Sequence, residues 1–261
     1  MIWFGLVLLG VVVGLFGTMI GAGGGFILVP ILLILYPHDR PEIITCISLA
    51  VVFFNAASGS IAYAKMGRID YRGAIIFSLA TMPGAILGAL CTSAIPRRQF
   101  DAILGGLLLA LAIALFVRPV QPPADAGLGS GEPVRRSRRQ YTLGAILSIG
   151  VGFMSSLLGI GGGIIHVPAM VYLLGYPVHV ATATSHLTLA AMALVGTIVH
   201  VVTGTFTSGI RRTIYLAIGV LVGAQLGAAF SNRVRGVWIM RGLAVALAVV
   251  AIRVLVQAWS G

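Results

Sequence analysis

Two glycine clusters are the parts of this chain best suited to chemistry. The first reads Gly14-x-x-Gly17-x-x-x-Gly21-x-Gly23-Gly24-Gly25 and is followed by Val29-Pro30. The second, 138 residues further on, reads Gly152-x-x-Ser155-x-x-x-Gly159-x-Gly161-Gly162-Gly163 and is followed by Val167-Pro168. Glycine runs interrupt helices and bare the main chain. A helix restarting after Gly25 or Gly163 presents unpaired N–H groups at its N-terminus, where the macrodipole places about half a positive charge. The chemistry on offer is recognition of a small anion by backbone, with no Cβ in the way. Close helix packing is the bland use of such glycines. Two copies, each heading a short apolar run, favour a binding site. Its candidate residues are Gly23, Gly24, Gly25, Gly161, Gly162 and Gly163.

Neutral polar side chains extend that set. Thr45, Ser48, Asn55 and Gly59 fall near one helical face, and Thr182, Ser185 and Gly196 repeat the spacing, with Thr184, His186 and Thr188 beside them. Hydroxyls in apolar helices often bond back to their own backbone or glue helices together. Asn55 and His186 carry more weight, because an amide or imidazole costs more to bury. Ser48, Asn55, Thr184, Ser185 and His186 therefore join the candidate substrate-binding residues. His166, His186 and His200 are the candidates to carry a proton, since histidine titrates near neutrality.

Several chemistries are disfavoured. The acidic residues, Asp39, Glu42, Asp70, Asp101, Asp125 and Glu132, all lie in loops, in a polar stretch or at the edge of an apolar run. That argues against a site for a cation and against a carboxylate proton relay. Cys46 and Cys91 lie in apolar runs and supply neither a disulfide framework nor a metal site. No cofactor is expected. Ala57-Ser58-Gly59 has the look of a short serine motif of intramembrane proteases. The internal repeat pairs Gly59 with Gly196 but Ser58 with Val195, which explains the glycine without catalysis. Without G-x-S-x-G, H-E-x-x-H or Walker patterns, the chain does not read as an enzyme or an ATP-driven pump.

The elements that must position these groups are membrane helices. Of the 261 residues, 59% are hydrophobic and 9% charged, against about 25% charged in a soluble domain. Mean hydropathy is +1.06. The first apolar run follows no positive segment and reads as a retained span rather than a signal peptide. The formal charge of +11 sits between apolar runs, so it points to topology and anionic headgroups rather than nucleic acid.

Apolar runs fall at 2–20, 26–36, 43–64, 73–93 and 102–117, then at 141–158, 164–176, 180–202, 213–230 and 236–259. The runs at 26–36 and 164–176 are too short to cross a bilayer and read as half-helices. The expected fold is an all-α integral membrane protein of two homologous halves. Each half holds a glycine-triplet broken helix plus three or four spanning helices. Residues 1–117 form the first repeat and 141–261 the second. Residues 118–140, rich in Pro and Gly and ending in Arg135, Arg136, Arg138 and Arg139, form a basic cytoplasmic linker. Parallel and inverted halves both place 11 Lys and Arg inside and 6 outside. An inverted repeat is favoured because broken helices meeting at a midplane pseudo-two-fold are common there.

Gly21, Gly23, Gly24, Gly25, Val29 and Pro30, repeated as Gly159, Gly161, Gly162, Gly163, Val167 and Pro168, together with Thr184-Ser185 and Pro83-Gly84, resemble the sulfite exporter TauE/SafE family of membrane permeases. The first half departs from the pattern at Ile47-Ser48, where Thr-Ser would stand. The resemblance implies a multi-pass carrier of the bacterial inner membrane, a secondary transporter exporting sulfur-containing oxyanions such as sulfite or organosulfonates. The partners are then a small anionic substrate and the lipid bilayer, with a homo-oligomer left open. The alternatives are a carrier or channel for another small anion or metabolite and, outside transport, an intramembrane enzyme or membrane assembly subunit.

Overall fold

A computed structural model describes residues 2–117, 137–231 and 233–260. Most of the expected linker, 118–136, lies outside the described residues. These residues form ten α-helices and one 3-10 turn: α1 (Ile2–Ile20), α2 (Gly25–Leu35), α3 (Pro41–Lys65), α4 (Tyr71–Thr92), α5 (Arg97–Val117), α6 (Arg138–Leu158), α7 (Gly163–Tyr172), α8 (Val178–Val202), a turn at Thr205–Ser208, α9 (Ile210–Ser231) and α10 (Gly236–Ser260). Eight of the helices, all but α2 and α7, are long and apolar enough to cross a membrane. That gives four candidate spans to each half. The short runs are α2 and α7, each opening on the last glycine of its triplet.

Local sequence sets the boundaries. Asp70 caps α4 by accepting from the Gly73 amide at 3.0 Å. Ser137 and Gln140 form a reciprocal capping box, the arrangement that satisfies two orphan donors at once. For that reason α6 begins at Arg138, ahead of the apolar run at 141.

The packing is pairwise across the halves. α1 lies along α9 and α6 lies along α4, while α3 and α8 pack together at the centre and α5 pairs with α10. Glycines permit the close crossings. A Cβ on Gly223 would collide with the Val11 carbonyl of α1, and one on Gly84 with the Ile149 carbonyl of α6. The contacts also give directions. Gly10, Gly14 and Leu15 meet Leu216, Val220 and Gly227 in ascending order, so α1 and α9 run parallel; α4 and α6 do likewise. α3 and α8 are antiparallel, since Gly59 meets His186 and Gly196 meets Leu49. Buried residues make up 78% of the α3 span against 39% of α1, α4 and α5. α3 is thus the core helix. The outer faces expose Phe4, Leu8, Ile75, Leu79 and Phe116, an apolar surface that lipid covers and water would not.

Two ends follow from these directions. At one, Arg97 donates to the carbonyls of Leu33, Pro37 and Asp39, and Arg212 pairs with Asp39 while lying over the Tyr36 ring at 3.7 Å. At the other, Asp70 accepts from the Tyr176 hydroxyl at 2.7 Å. We call these the Asp39 end and the Asp70 end.

The close α1–α9 crossing predicts that Gly223→Leu costs more than about 1–3 kcal/mol, the range for overpacking. Gly106→Ala on α5, where a Cβ meets nothing within 4 Å, should not lower stability, because alanine favours the helix over glycine. Size-exclusion profiles after graded heating of the two variants in detergent measure both.

Candidate functional site: the crossing of two broken helices

The two breaks meet at mid-height of the central helices, where Gly23 lies against Val52 of α3 and Leu189 of α8. After Ile20 the chain turns through Gly21, Gly23 and Gly24, with φ of 80°, 74° and 82°. These are left-handed conformations that only glycine adopts cheaply. Gly159 and Gly161 repeat this at 67° and 68°, whereas Gly162 is right-handed at −53°.

The sequence suggests two amide-bearing ends facing each other around a solute. They do face each other, but in contact. A Cβ on Gly25 would stand 2.6 Å from the Gly159 carbonyl oxygen and 2.7 Å from that of Ile160. A Cβ on Gly163 would overlap the Gly21 carbonyl, and one on Gly161 would lie 3.1 Å from the Ala22 oxygen. Between these backbones not even a methyl group fits, so an oxyanion does not fit in this conformation. The first glycine of each half-helix packs against the carbonyls that follow the end of the opposite broken helix. No hydrogen-bond acceptor for the Gly25 or Phe26 amide occurs among the described residues.

A polar network flanks the crossing on the Asp70 side. The Asn55 Nδ2 donates to the Gly23 carbonyl at 3.1 Å, which turns its Oδ1 towards Thr18. The Thr18 hydroxyl donates to that Oδ1 at 3.1 Å and lies 3.2 Å from His186 Nε2. With its single proton given to Asn55, Thr18 must accept from His186, which fixes the Nε2–H tautomer. The Tyr63 hydroxyl donates to the Thr18 carbonyl at 2.7 Å, and its ring meets the imidazole edge-on at 5.7 Å. Gly59 makes room for that imidazole: a Cβ there would stand 2.6 Å from its Cδ2. All these side chains are buried, and the surrounding charges lie at the helix ends.

Other candidates disperse. The Ser48 hydroxyl donates to the Gly159 carbonyl at 2.6 Å and holds the second break. Ser185 is buried without a hydrogen bond, as are Thr45, Thr182, Ser155 and Ser156. The Thr184 hydroxyl accepts from the Asp70 amide at 3.0 Å. It therefore tethers the start of α4 rather than facing the glycines. His166 pairs with Ser148 at 3.1 Å, its ring against Phe77, between α6 and α4. His200 lies fourteen residues beyond His186 in α8, about 21 Å along the helix. The three histidines thus form no relay.

Sequence reasoning missed Thr18, Tyr63, Ser155 and Ser156. Thr18 and the serines lie inside the glycine motifs themselves, and Tyr63 continues the Asn55–Gly59 face by one turn. The repeat also shows what is unique. At the matching offsets, Thr18, Asn55, Tyr63 and His186 stand opposite Ser156, Met192, His200 and Leu49. The hydrogen-bonded network therefore exists on one side of the crossing only. Ser58 donates to the Leu221 carbonyl at 3.1 Å and accepts from Gln225 at 2.8 Å; its partners are not histidines.

The chain is 30% identical over 245 residues to a protein of Bacillus subtilis named "Probable membrane transporter protein YunE", covering 88% of this chain and 89% of that protein. A Xylella fastidiosa protein named as a probable membrane transporter is 31% identical over 191 residues, covering 72% of this chain and 70% of its own. A Methanocaldococcus jannaschii counterpart with the same kind of name is 26% identical over 243 residues, with 88% and 86% covered. No solved structure matches the chain. A family model described as sulfite exporter TauE/SafE matches residues 6–254, including both glycine clusters and the helices that bury them, and the chain belongs to that family of membrane transporters.

Proposed function

We propose that the chain is a secondary transporter of small sulfur-containing oxyanions such as sulfite or organosulfonates, working as an exporter in the bacterial inner membrane. The observation that carries this reading is the crossing itself. Two half-helix N-termini, free of carboxylates, lie at mid-depth beside buried hydroxyls that have no hydrogen bond. Unsatisfied buried polar atoms of this kind call for a missing partner, and amide and hydroxyl donors suit an oxyanion.

The helix directions support an inverted repeat. α1 enters from the Asp39 end and α2 returns to it; α6 enters from the Asp70 end and α7 returns there. The Asp70 end carries Lys65, Arg68, Arg72, Arg138, Arg139, Arg233, Arg235 and Arg241, the Asp39 end fewer basic residues. By the positive-inside rule the Asp70 end faces the cytoplasm. The conformation is then an occluded one. The Asp39–Arg212 pair closes the outer end, the Asp70–Tyr176 bond closes the inner end, and the two breaks close on each other. Transport separates the breaks, and the anion takes up the half-helix amides that the closed crossing leaves without an acceptor among the described residues. The bonding of Ser58 to Leu221 and Gln225 supports a carrier over an intramembrane hydrolase.

Purified protein should gain thermal stability with sulfite or sulfoacetate and not with sodium chloride, and proteoliposomes should move the same anions with unchanged mass. Gly162→Ala is the sharpest variant, because its backbone already accepts alanine while the added Cβ would stand 2.6 Å from Val151. It should keep its fold yet lose most of the flux and the ligand-induced stabilisation. Full activity in this variant, or stabilisation by no anion in the panel, overturns the reading.

A second measurement addresses the proton. If the network around His186 carries it, His186→Ala flattens the pH profile of flux more than it lowers the rate at low pH. An unchanged profile removes His186 as the proton carrier.

A further inference from the structure

A cavity of about 1050 Å³ opens sideways between the second half of α1, the start of α2, the last turn of α5 and the first turns of α10. Its walls are apolar, with Phe16, Met19, Ile27, Phe116 and Val245 among them, and it carries one charged residue, Arg241. Arg241 lies five residues into α10, about 7.5 Å along the helix. The three ion pairs among the described residues do not include it; its guanidinium stands 5.7 Å from the Trp238 ring centroid. A guanidinium that far into a span, without a carboxylate, has to reach water or a phosphate. Trp238 is 61% exposed and marks the interfacial depth where tryptophan prefers to sit.

We propose that this groove is a binding site for an anionic phospholipid, with the phosphate on Arg241 and an acyl chain along the apolar trough. An amphiphile matches both halves of the lining. A second copy of the chain does not, because a two-fold contact here would bring Arg233, Arg235 and Arg241, all exposed, against their own copies. Basic pockets between spans at the positively charged face of a membrane protein suit acidic headgroups. The lipid tail would also lie on Met19, Ile20 and Ile27, which bracket the first glycine break, so that its binding braces the closed crossing. This assignment is independent of which solute the transporter carries.

Delipidated protein titrated with phosphatidylglycerol or phosphatidylcholine, read by melting temperature and by native mass spectrometry, tests it. Phosphatidylglycerol should raise the melting temperature and remain bound, with phosphatidylcholine much weaker. Arg241→Gln should weaken phosphatidylglycerol retention about fivefold, while Arg253→Gln near the far end of α10 should not. Gly242→Phe fills the groove from a position where a Cβ meets nothing within 4 Å. It should abolish retention with Arg241 intact, and it carries the test if Arg241→Gln fails to fold. Equal response to the two lipids, or a phosphatidylglycerol response unchanged in Gly242→Phe, overturns the proposal. So does a dimer that Gly242→Phe converts to a monomer, which would assign the groove to a second copy.

Discussion

Main chain pressed on main chain, where two interrupted helices cross at mid-depth, is the contact on which the rest of this protein depends. A helix broken inside a bilayer leaves amides and carbonyls that cost several kcal/mol each if they face lipid. The remedy is to bury the break in protein, and to bury it against another break of opposite polarity. That requires backbones at contact distance, hence Gly25 against Gly159 and Gly163 against Gly21. It also requires walls. α3 and α8 supply these through Val52 and Leu189, and the close α1–α9 and α4–α6 pairs hold the two broken helices in place. The glycines along α4 and α9 thus serve the same end as the triplets. They let each broken helix be gripped by a helix of the other half.

The two sides of the crossing are alike in backbone and unlike in chemistry. On one side Asn55, Thr18 and His186 form a chain of hydrogen bonds that ends on the Gly23 carbonyl. On the other, Gly196 meets Leu49 and Ser156, and the serine hydroxyl has no partner. The ends differ too: an ion pair and a stacked guanidinium stand at one, a carboxylate bonded to tyrosine at the other. A repeat that duplicates the scaffold but not the side chains can favour one face over the other.

Much of the fold was legible because hydropathy speaks plainly in lipid. Run lengths separated spans from half-helices, and the 138-residue repeat located the breaks. The boundary at Arg138 was less visible, because a capping box is a polar signal next to an apolar run. The candidate site was legible in its glycines and in Asn55 and His186, residues costly to bury without purpose. Thr184 stands apart from them, since its hydroxyl accepts from the Asp70 amide while Ser185 beside it has no hydrogen bond. Helical phase, which spacing gives only to within a side chain's width, decides between those faces. Thr18 and Tyr63 were hidden for another reason. Their role arises from contacts between residues 45 apart, which no local pattern encodes.

The absence of charge at the crossing bears on how such a site could work. An arginine buried beside an oxyanion would form a charge-assisted bond about twice as strong as a neutral one. It would also need desolvation whenever the site stood empty. Neutral donors avoid both problems. In the closed state the first glycine of each half-helix packs against carbonyls of the opposite break, without a hydrogen bond between them among the described residues. On the reading proposed above, an arriving anion meets uncharged amides and hydroxyls that have no acceptor among the described residues, so the site holds it without a fixed counter-charge. That suits a carrier, because a solute held too tightly is not released. The positive charge sits instead at the helix ends, where it raises the local concentration of anions without holding them at the point of crossing.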